Sequence, residues 1–200
     1  LQGREDIDGS RIGCTGTSGG GTLTSYLMAL DDRIVAAAPS CYLTSLERLL
    51  ITEGPQDAEQ NVAAQLAFGM NHAEYVIMRA PKPTLICCAT RDFFDISGTW
   101  DTFRQAKRAY ARLGAAESMD LVESDDDHGF NAPHRVAMVR FMRHYLLGAD
   151  GPIEDIDMPM LPDEELRCTP EGQVLRMEGT RSVLALNADH EAALAANRQG

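Results

Sequence analysis

The sequence predicts an α/β fold in which helices cover both faces of a parallel sheet. Short apolar strands alternate with amphipathic helices over the first 150 residues, and such alternation is typical of strands joined by helical crossovers. The segment 83–90, "PTLICCAT", is an uninterrupted apolar run, as expected for a strand buried on both faces. Two hundred residues are enough to bury the core of one such domain.

The predicted elements follow one another in regular order. Strands are expected at 11–15, 33–40, 83–90 and 118–123. Helices are expected at 20–30, at 45–70 with an interruption at Gly54-Pro55, at 99–114 and at 133–147. The 99–114 segment places Phe103, Ala106, Tyr110 and Leu113 on one helical stripe before a terminal glycine, the pattern of a helix packed against a core.

The composition changes after residue 150. We therefore predict that residues 1–150 form the α/β domain, and that 151–200 form a proline-rich acidic linker and the start of a further segment. Within this second region, 171–179 is expected to be extended or a hairpin, and 187–198 to be helical.

The charge and the cysteine count exclude several classes of function. A formal net charge of −12 disfavours nucleic acid or an anionic membrane as the main partner, because both are polyanions. No apolar run is long enough to span a bilayer. The five cysteines and five histidines lack metal-ligand spacing, so neither a metal nor another cofactor is predicted. Cys87 and Cys88 are expected to pack as small hydrophobic side chains.

The glycine-rich segment 16–20, "GTSGG", indicates where the chemistry lies. It fits neither a phosphate-binding loop, which requires a following lysine, nor a dinucleotide fingerprint. It does fit G-x-S-x-G between a strand and a helix, the nucleophile elbow. Ser18 is then the nucleophile, and the backbone N–H of Gly19 contributes to the oxyanion hole. Gly16 and Gly20 are expected to leave room for the tight turn.

An elbow of this kind requires an acid and then a histidine after later strands. "RDFFD" after the third strand offers Asp92, which we favour, or Asp95, which is better suited to capping the next helix. His128 follows the fourth strand. A different acid could come from Asp57 or Glu59. If they are not the acid, Asp57 and Glu59 are predicted either to line a substrate pocket or simply to cap a helix. The other residues predicted to line that pocket are Gln56 and Thr17, which is next to the nucleophile.

These segments resemble a known family. "IGCTGTSGGGT…YLMALDDRI…AAAPSCY", "GPQDAEQ", "APKPTLICCATRDFFDI" and "HGF" are similar to acetylxylan-esterase-type members of the α/β-hydrolase superfamily, which are related to dienelactone-hydrolase-like and glucuronoyl-esterase-like enzymes. The resemblance covers about residues 5–150. It implies hydrolysis of carboxylic esters, often of acetylated carbohydrate, through an acyl-serine intermediate and without a cofactor. It assigns Ser18 as nucleophile, Asp92 as acid and His128 as base.

The chain also departs from that family. Its members have several strands before the elbow, and a loop among them supplies the second oxyanion donor, whereas few residues precede Ser18 here. We therefore expect an incomplete α/β-hydrolase fold, the C-terminal part of the catalytic domain. Two alternatives stay open: a non-catalytic fragment or interaction module, and a serine peptidase of the same fold, which Gly19 disfavours because peptidase relatives have an aromatic residue there. Oligomeric state is not predicted, and secretion or a periplasmic location stays open.

Overall fold

The computed structural model describes residues 2–54, 56–156 and 159–198. Pro55, at the predicted helix interruption, lies outside the described residues. The chain divides into two compact units after Asp155. None of the described helices is long and apolar enough to cross a membrane.

The first unit contains a four-stranded sheet in the order β1-β2-β3-β4. All three strand pairings are parallel, which confirms the predicted sheet. The strands are β1 (Ile12–Thr17), β2 (Ile34–Ser40), β3 (Thr84–Ala89) and β4 (Met119–Ser124). Thr17 is in register with Ser40, and Ser40 with Cys87. The carboxyl ends of the strands therefore meet at one edge, where sites form in such sheets.

Helices lie on both faces of this sheet. They are α1 (Gly19–Leu30), α2 (Leu46–Thr52), α3 (Gln65–Phe68), α4 (His72–Met78), α5 (Ile96–Arg112) and α6 (Ala132–Leu147). On one face Ala37 and Ile86 join a core with Met28 of α1, Val76 of α4 and Tyr110 of α5. On the other face the alternate residues Ala38, Leu85 and Cys87 pack against α6. This alternation between faces follows from the two-residue period of a strand.

The segment 45–70 is less helical than predicted. It contains only α2, a single 3-10 turn at Ala58–Gln60 and the short α3. The next helix, α4, was not predicted at all. Its start was nevertheless encoded in the sequence, because Asn71 and Glu74 form a capping box. The Asn71 side chain accepts from the Glu74 backbone N–H, and the Glu74 carboxylate accepts from the Asn71 backbone N–H.

The second unit contains α7 (Asp163–Leu166), a 3-10 turn at Val174–Arg176 and α8 (Val183–Arg198). The prediction of an extended element at 171–179 was wrong. Gly172 and Gly179 adopt φ of 68° and 76°, so the chain turns at both ends of that segment. Helix α8 begins four residues before the predicted start, because the Ser182 hydroxyl accepts a hydrogen bond from the Ala185 N–H at 3.1 Å.

Candidate active site

Ser18 is the single residue between β1 and α1. It has φ 58° and ψ −121°, a conformation that costs a non-glycine residue strain and is found mainly at functional turns. Two backbone hydrogen bonds hold it: its N–H donates to Ser40 O at 3.0 Å, and its C=O accepts from Thr22 N at 2.9 Å. The Ser18 hydroxyl does not cap α1, and the residue is partly exposed. The turn therefore presents the Ser18 hydroxyl at the carboxyl edge of the sheet.

Two of the neighbouring glycines are required by close backbone contacts. A Cβ on Gly16 would lie 2.4 Å from Gly20 O, and one on Gly21 would lie 2.4 Å from Ser40 O. A Cβ on Gly20 would meet no atom within 4 Å. The expectation that Gly20 leaves room for its own missing side chain was therefore wrong. The missing side chain of Gly21 is what lets α1 approach the end of β2. Gly20 matters through its backbone, which a side chain at position 16 would strike.

Asp92 and His128 meet across the loops that follow β3 and β4. The Nδ1–H of His128 donates to Asp92 Oδ1 at 2.8 Å, and the same oxygen accepts from the Phe94 N–H at 3.0 Å. The Asp92 side chain is 2% exposed, whereas that of His128 is 24% exposed. The imidazole stacks on Phe93, with ring centroids 4.3 Å apart. A buried carboxylate therefore orients a ring that stays open to solvent.

Asp95 has a different position. Its carboxylate caps α5 by accepting from the Gly98 N–H at 3.1 Å, and it pairs with Arg48 Nε at 3.0 Å. This cap explains why α5 begins at Ile96, three residues before the predicted start. Asp95 thus joins α2 to α5, while Asp92 faces the imidazole.

The predicted pocket residues separate into two groups. Thr17 ends β1 beside Ser18, and Glu59 is exposed with Oε1 3.4 Å from the place where a Cβ on Gly19 would be. Gln56 instead lines a cavity formed by α2 and the 61–67 segment, and Asp57 precedes the 3-10 turn as an exposed residue. The structure therefore brings Thr17 and Glu59 to the elbow. Asp92 occupies the position against His128 for which Asp57 and Glu59 were the alternatives.

Cys41 connects the elbow to the histidine loop and was not singled out from the sequence. It follows β2 with φ 48°, is 2% exposed, and its Sγ contacts Gly129 O at 3.4 Å. Burial raises the pKa of its thiol to about 11. The preceding residue, Ser40, accepts the Ser18 N–H, and Cys41 itself contacts the residue after His128. Ser18 and His128 therefore lie on either side of the end of β2. In the sequence, the position of Cys41 directly after a strand was the only signal of this role.

The His128 loop is held from two sides. Arg91 pairs with Asp125 and Asp127, which ties the loop after β4 to the loop after β3. On the other side His134 is fully buried, with its ring nitrogens 3.2 Å from Gly129 O and 2.8 Å from Cys88 O. Helix α6 thus turns His134 toward the sheet.

The comparisons with known proteins agree with this fold. No family model matches the chain. The Bacillus subtilis (strain 168) protein named "Putative hydrolase YtaP" is 28% identical over 148 residues, which are 73% of this chain and 50% of that protein. Among solved structures, "Methylesterase BT1017" is 31% identical with a TM-score of 0.60 over 72% of this chain. A carbohydrate esterase family 15 glucuronoyl esterase from Caldicellulosiruptor kristjansonii is 18% identical with a TM-score of 0.63 over 80% of this chain.

The chain is shorter than these relatives. It covers 31% of the methylesterase and 50% of the glucuronoyl esterase, and about half of the curated relative. Together with the strained serine turn at the carboxyl edge of the sheet, these likenesses show that the chain has the α/β-hydrolase fold.

Proposed function

We propose that Ser18, His128 and Asp92 are the nucleophile, base and acid of a serine carboxylic ester hydrolase. The observation that carries the proposal is a serine in a strained strand-to-helix turn, at the same sheet edge as a histidine bonded to a buried aspartate. That arrangement has the roles and the chain order of an α/β-hydrolase triad. The hydrolase and esterase relatives support the same reaction class.

In the proposed reaction the neutral His128 ring takes the Ser18 proton while Oγ attacks the ester carbonyl carbon. Asp92 fixes the Nδ1–H tautomer, so that the opposite ring nitrogen is the acceptor. The tetrahedral intermediate collapses, the C–O bond to the alcohol breaks, and His128 returns its proton to the departing oxygen. A water then attacks the acyl-serine by the same proton route and releases the acid.

Gly19 is the proposed oxyanion donor. Its N–H belongs to the first residue of α1, where backbone N–H groups lack helical partners and the helix dipole favours negative charge. An N–H aimed at the developing oxyanion typically contributes about 10²–10³ in turnover.

The proposed substrates are carbohydrate esters, in one of two arrangements. In an acetylated sugar, as the family resemblance suggests, acetate is left on Ser18 and the sugar departs as the alcohol. In a uronate ester, as the glucuronoyl esterase relatives suggest, the sugar itself becomes the acyl group. Glu59 beside Gly19 offers a carboxylate that can accept hydrogen bonds from sugar hydroxyls. Comparing acetylated xylan with a methyl glucuronate ester distinguishes the two.

Replacing the nucleophile tests the reaction class. The Ser18→Ala variant of the natural protein should lose on the order of 10⁴–10⁶ in kcat, because the covalent route is removed. Hydrolysis of 4-nitrophenyl acetate and of both carbohydrate esters provides the readout. Turnover within tenfold of the unsubstituted protein would show that Ser18 is not the nucleophile.

A further inference from the structure

A second chemistry is available to the residues around Asp92. The thiol of Cys41, a carboxylate oxygen of Asp92 and a ring nitrogen of His128 all lie within 4.8 Å of one another. The three residues follow β2, β3 and β4 respectively, so the sheet edge gathers them although they are far apart in sequence. No other group of this type is found among residues 2–54, 56–156 and 159–198.

Asp92 has an oxygen that the proposed triad leaves unused. Oδ1 accepts from both His128 and Phe94, but Oδ2 is fully buried and has no hydrogen-bond partner within the described part of the chain. An ionised carboxylate oxygen in that state is costly, because it has lost water and gained nothing in return. A buried, unpartnered carboxylate oxygen beside a thiol and an imidazole offers three ligand atoms to a cation.

We propose that Cys41, Asp92 and His128 form a site for a thiophilic divalent cation such as Zn²⁺, and that occupancy inhibits the hydrolase. Cation binding follows from the ligand set alone. Only the inhibition rests on the proposed function, since it requires His128 and Asp92 to be the base and the acid.

The ligand chemistry fits zinc better than calcium or magnesium. Thiolate, imidazole and carboxylate are the groups that Zn²⁺ prefers, whereas the harder cations select oxygen alone. With one sulfur ligand, zinc bonds of about 2.0–2.3 Å place tetrahedral ligands roughly 3.3–3.6 Å apart. The three groups lie within 4.8 Å of one another, so the widest pair needs to close by at most about 1.5 Å. The hydrogen-bonded Asp92–His128 pair, at 2.8 Å, instead has to open by roughly half an ångström. A fourth position remains for water, as in zinc sites with three protein ligands.

Binding must open the triad. Cys41 loses its thiol proton to solvent as the sulfur–metal bond forms. The Nδ1 proton of His128 moves to Nε2, which frees Nδ1 to bind the cation. Nδ1 and Asp92 Oδ1, now 2.8 Å apart in a hydrogen bond, then separate to the spacing that a shared cation imposes. His128 is then held by the metal and cannot accept the Ser18 proton. A cation at this site therefore competes with catalysis rather than supporting it.

Cobalt provides a readout that does not depend on activity. The natural protein, stripped of metal with a chelator, is titrated with Co²⁺ and then with Zn²⁺. We expect a thiolate-to-cobalt absorption band that saturates at one Co²⁺ per chain and disappears when Zn²⁺ is added. Cys41→Ala and Cys41→Ser should abolish the band, and Asp92→Asn should weaken Zn²⁺ binding at least tenfold. Cys168→Ser, which removes an exposed thiol, should leave the band unchanged.

Each contrary outcome overturns the site. A band that survives both Cys41 variants belongs to another thiol, and an unsubstituted protein that shows no band has no site of this kind. If neither Cys41 variant folds, Asp92→Asn decides, because Zn²⁺ affinity unchanged by that substitution rules out carboxylate ligation.

The inhibition is measured separately. Zn²⁺ should suppress ester hydrolysis by the unsubstituted protein and a chelator should restore it, while the Cys41 variants should need at least tenfold more Zn²⁺ for the same fractional loss. Cobalt binding without any hydrolase activity would contradict the proposed function and the inhibition, and leave the cation site standing. Hydrolysis without Cys41-dependent metal binding would contradict the cation site alone.

Discussion

The segments that follow β3 and β4 each contain two residues of the same type with different surroundings. In the first, Asp92 faces the imidazole of His128, whereas Asp95 caps α5 and pairs with Arg48. In the second, His128 is open to solvent, whereas His134 is buried against backbone carbonyls. One member of each pair belongs to the proposed triad, and the other holds the neighbouring helix or loop in place.

The difference between the two aspartates shows that the role of a loop residue depends on its distance from the end of the strand. Asp92 lies three residues past β3 and is still held by the sheet, since its N–H donates to Ala89 O at 3.3 Å. Asp95 is three residues further on and belongs to the helix. Residue type is the same, so position alone separates a candidate acid from a cap. Substituting both members of each pair tests this division.

The histidine pair should give the largest contrast. His128→Ala should lower kcat by on the order of 10⁴–10⁶, because the base that accepts the Ser18 proton is lost. His134→Ala should instead lower the free energy of unfolding by about 1–3 kcal/mol, since it leaves buried polar groups without partners. Ester hydrolysis and urea unfolding of both variants provide the measurements. Near-normal turnover by the His128 variant would show that His128 is not the base.

The aspartate pair should follow, with a smaller catalytic effect. Asp92→Asn should lower kcat by about 10³–10⁴, because an amide no longer fixes the Nδ1–H tautomer or stabilises the imidazolium. Asp95→Asn keeps a capping oxygen and loses only the ion pair with a partly exposed Arg48, which should change stability by less than about 1 kcal/mol. Equal losses of turnover in the two variants would contradict the assignment of Asp92.

A third histidine, His72, differs from both because its contribution to the stability of the fold depends on pH. His72 is buried, its Nδ1 accepts from the Thr44 N–H at 3.1 Å, and burial lowers its pKa to about 4. The unfolded chain, with a histidine pKa of about 6.5, therefore binds the proton more readily. The neutral ring's contribution to stability is complete above about pH 6.5 and is lost as the pH falls toward 4, by about 3 kcal/mol in total.

Urea unfolding at about pH 7 and about pH 4.5 measures this loss. His72→Asn is the control, because an amide oxygen can accept the same Thr44 N–H without titrating. The variant should show a flatter dependence on pH. An equally steep dependence in the variant would show that other groups are responsible.

The glycine pair gives the smallest effect and tests the elbow. Gly21→Ala should destabilise the fold by about 1–3 kcal/mol, because its Cβ would lie 2.4 Å from Ser40 O and the helix must shift. Gly20→Ala meets no atom within 4 Å and should leave stability unchanged or slightly raised. Thermal unfolding of the two variants checks this order. The reverse order would mean that α1 is seated differently on β2.

Local signals in the sequence predicted much of this arrangement. The apolar run of β3 and the G-x-S-x-G spacing predicted a buried strand and the serine turn, because both depend on neighbouring residues. The capping box of α4 is local in the same way, because Asn71 and Glu74 lie three residues apart. The roles of Gly21 and Cys41 could not be predicted, because each depends on a contact with another strand or loop: Ser40 for Gly21, and the Asp92 and His128 loops for Cys41.

The central claim is that Ser18 is a nucleophile activated by the His128–Asp92 pair. Its most direct test is labelling of the natural protein with a fluorophosphonate probe, followed by mass spectrometry of the modified peptide. The account predicts stoichiometric modification of Ser18, no modification in Ser18→Ala, and labelling slowed at least a hundredfold in His128→Ala. Modification at another residue, or equally fast labelling of Ser18 without His128, would contradict it.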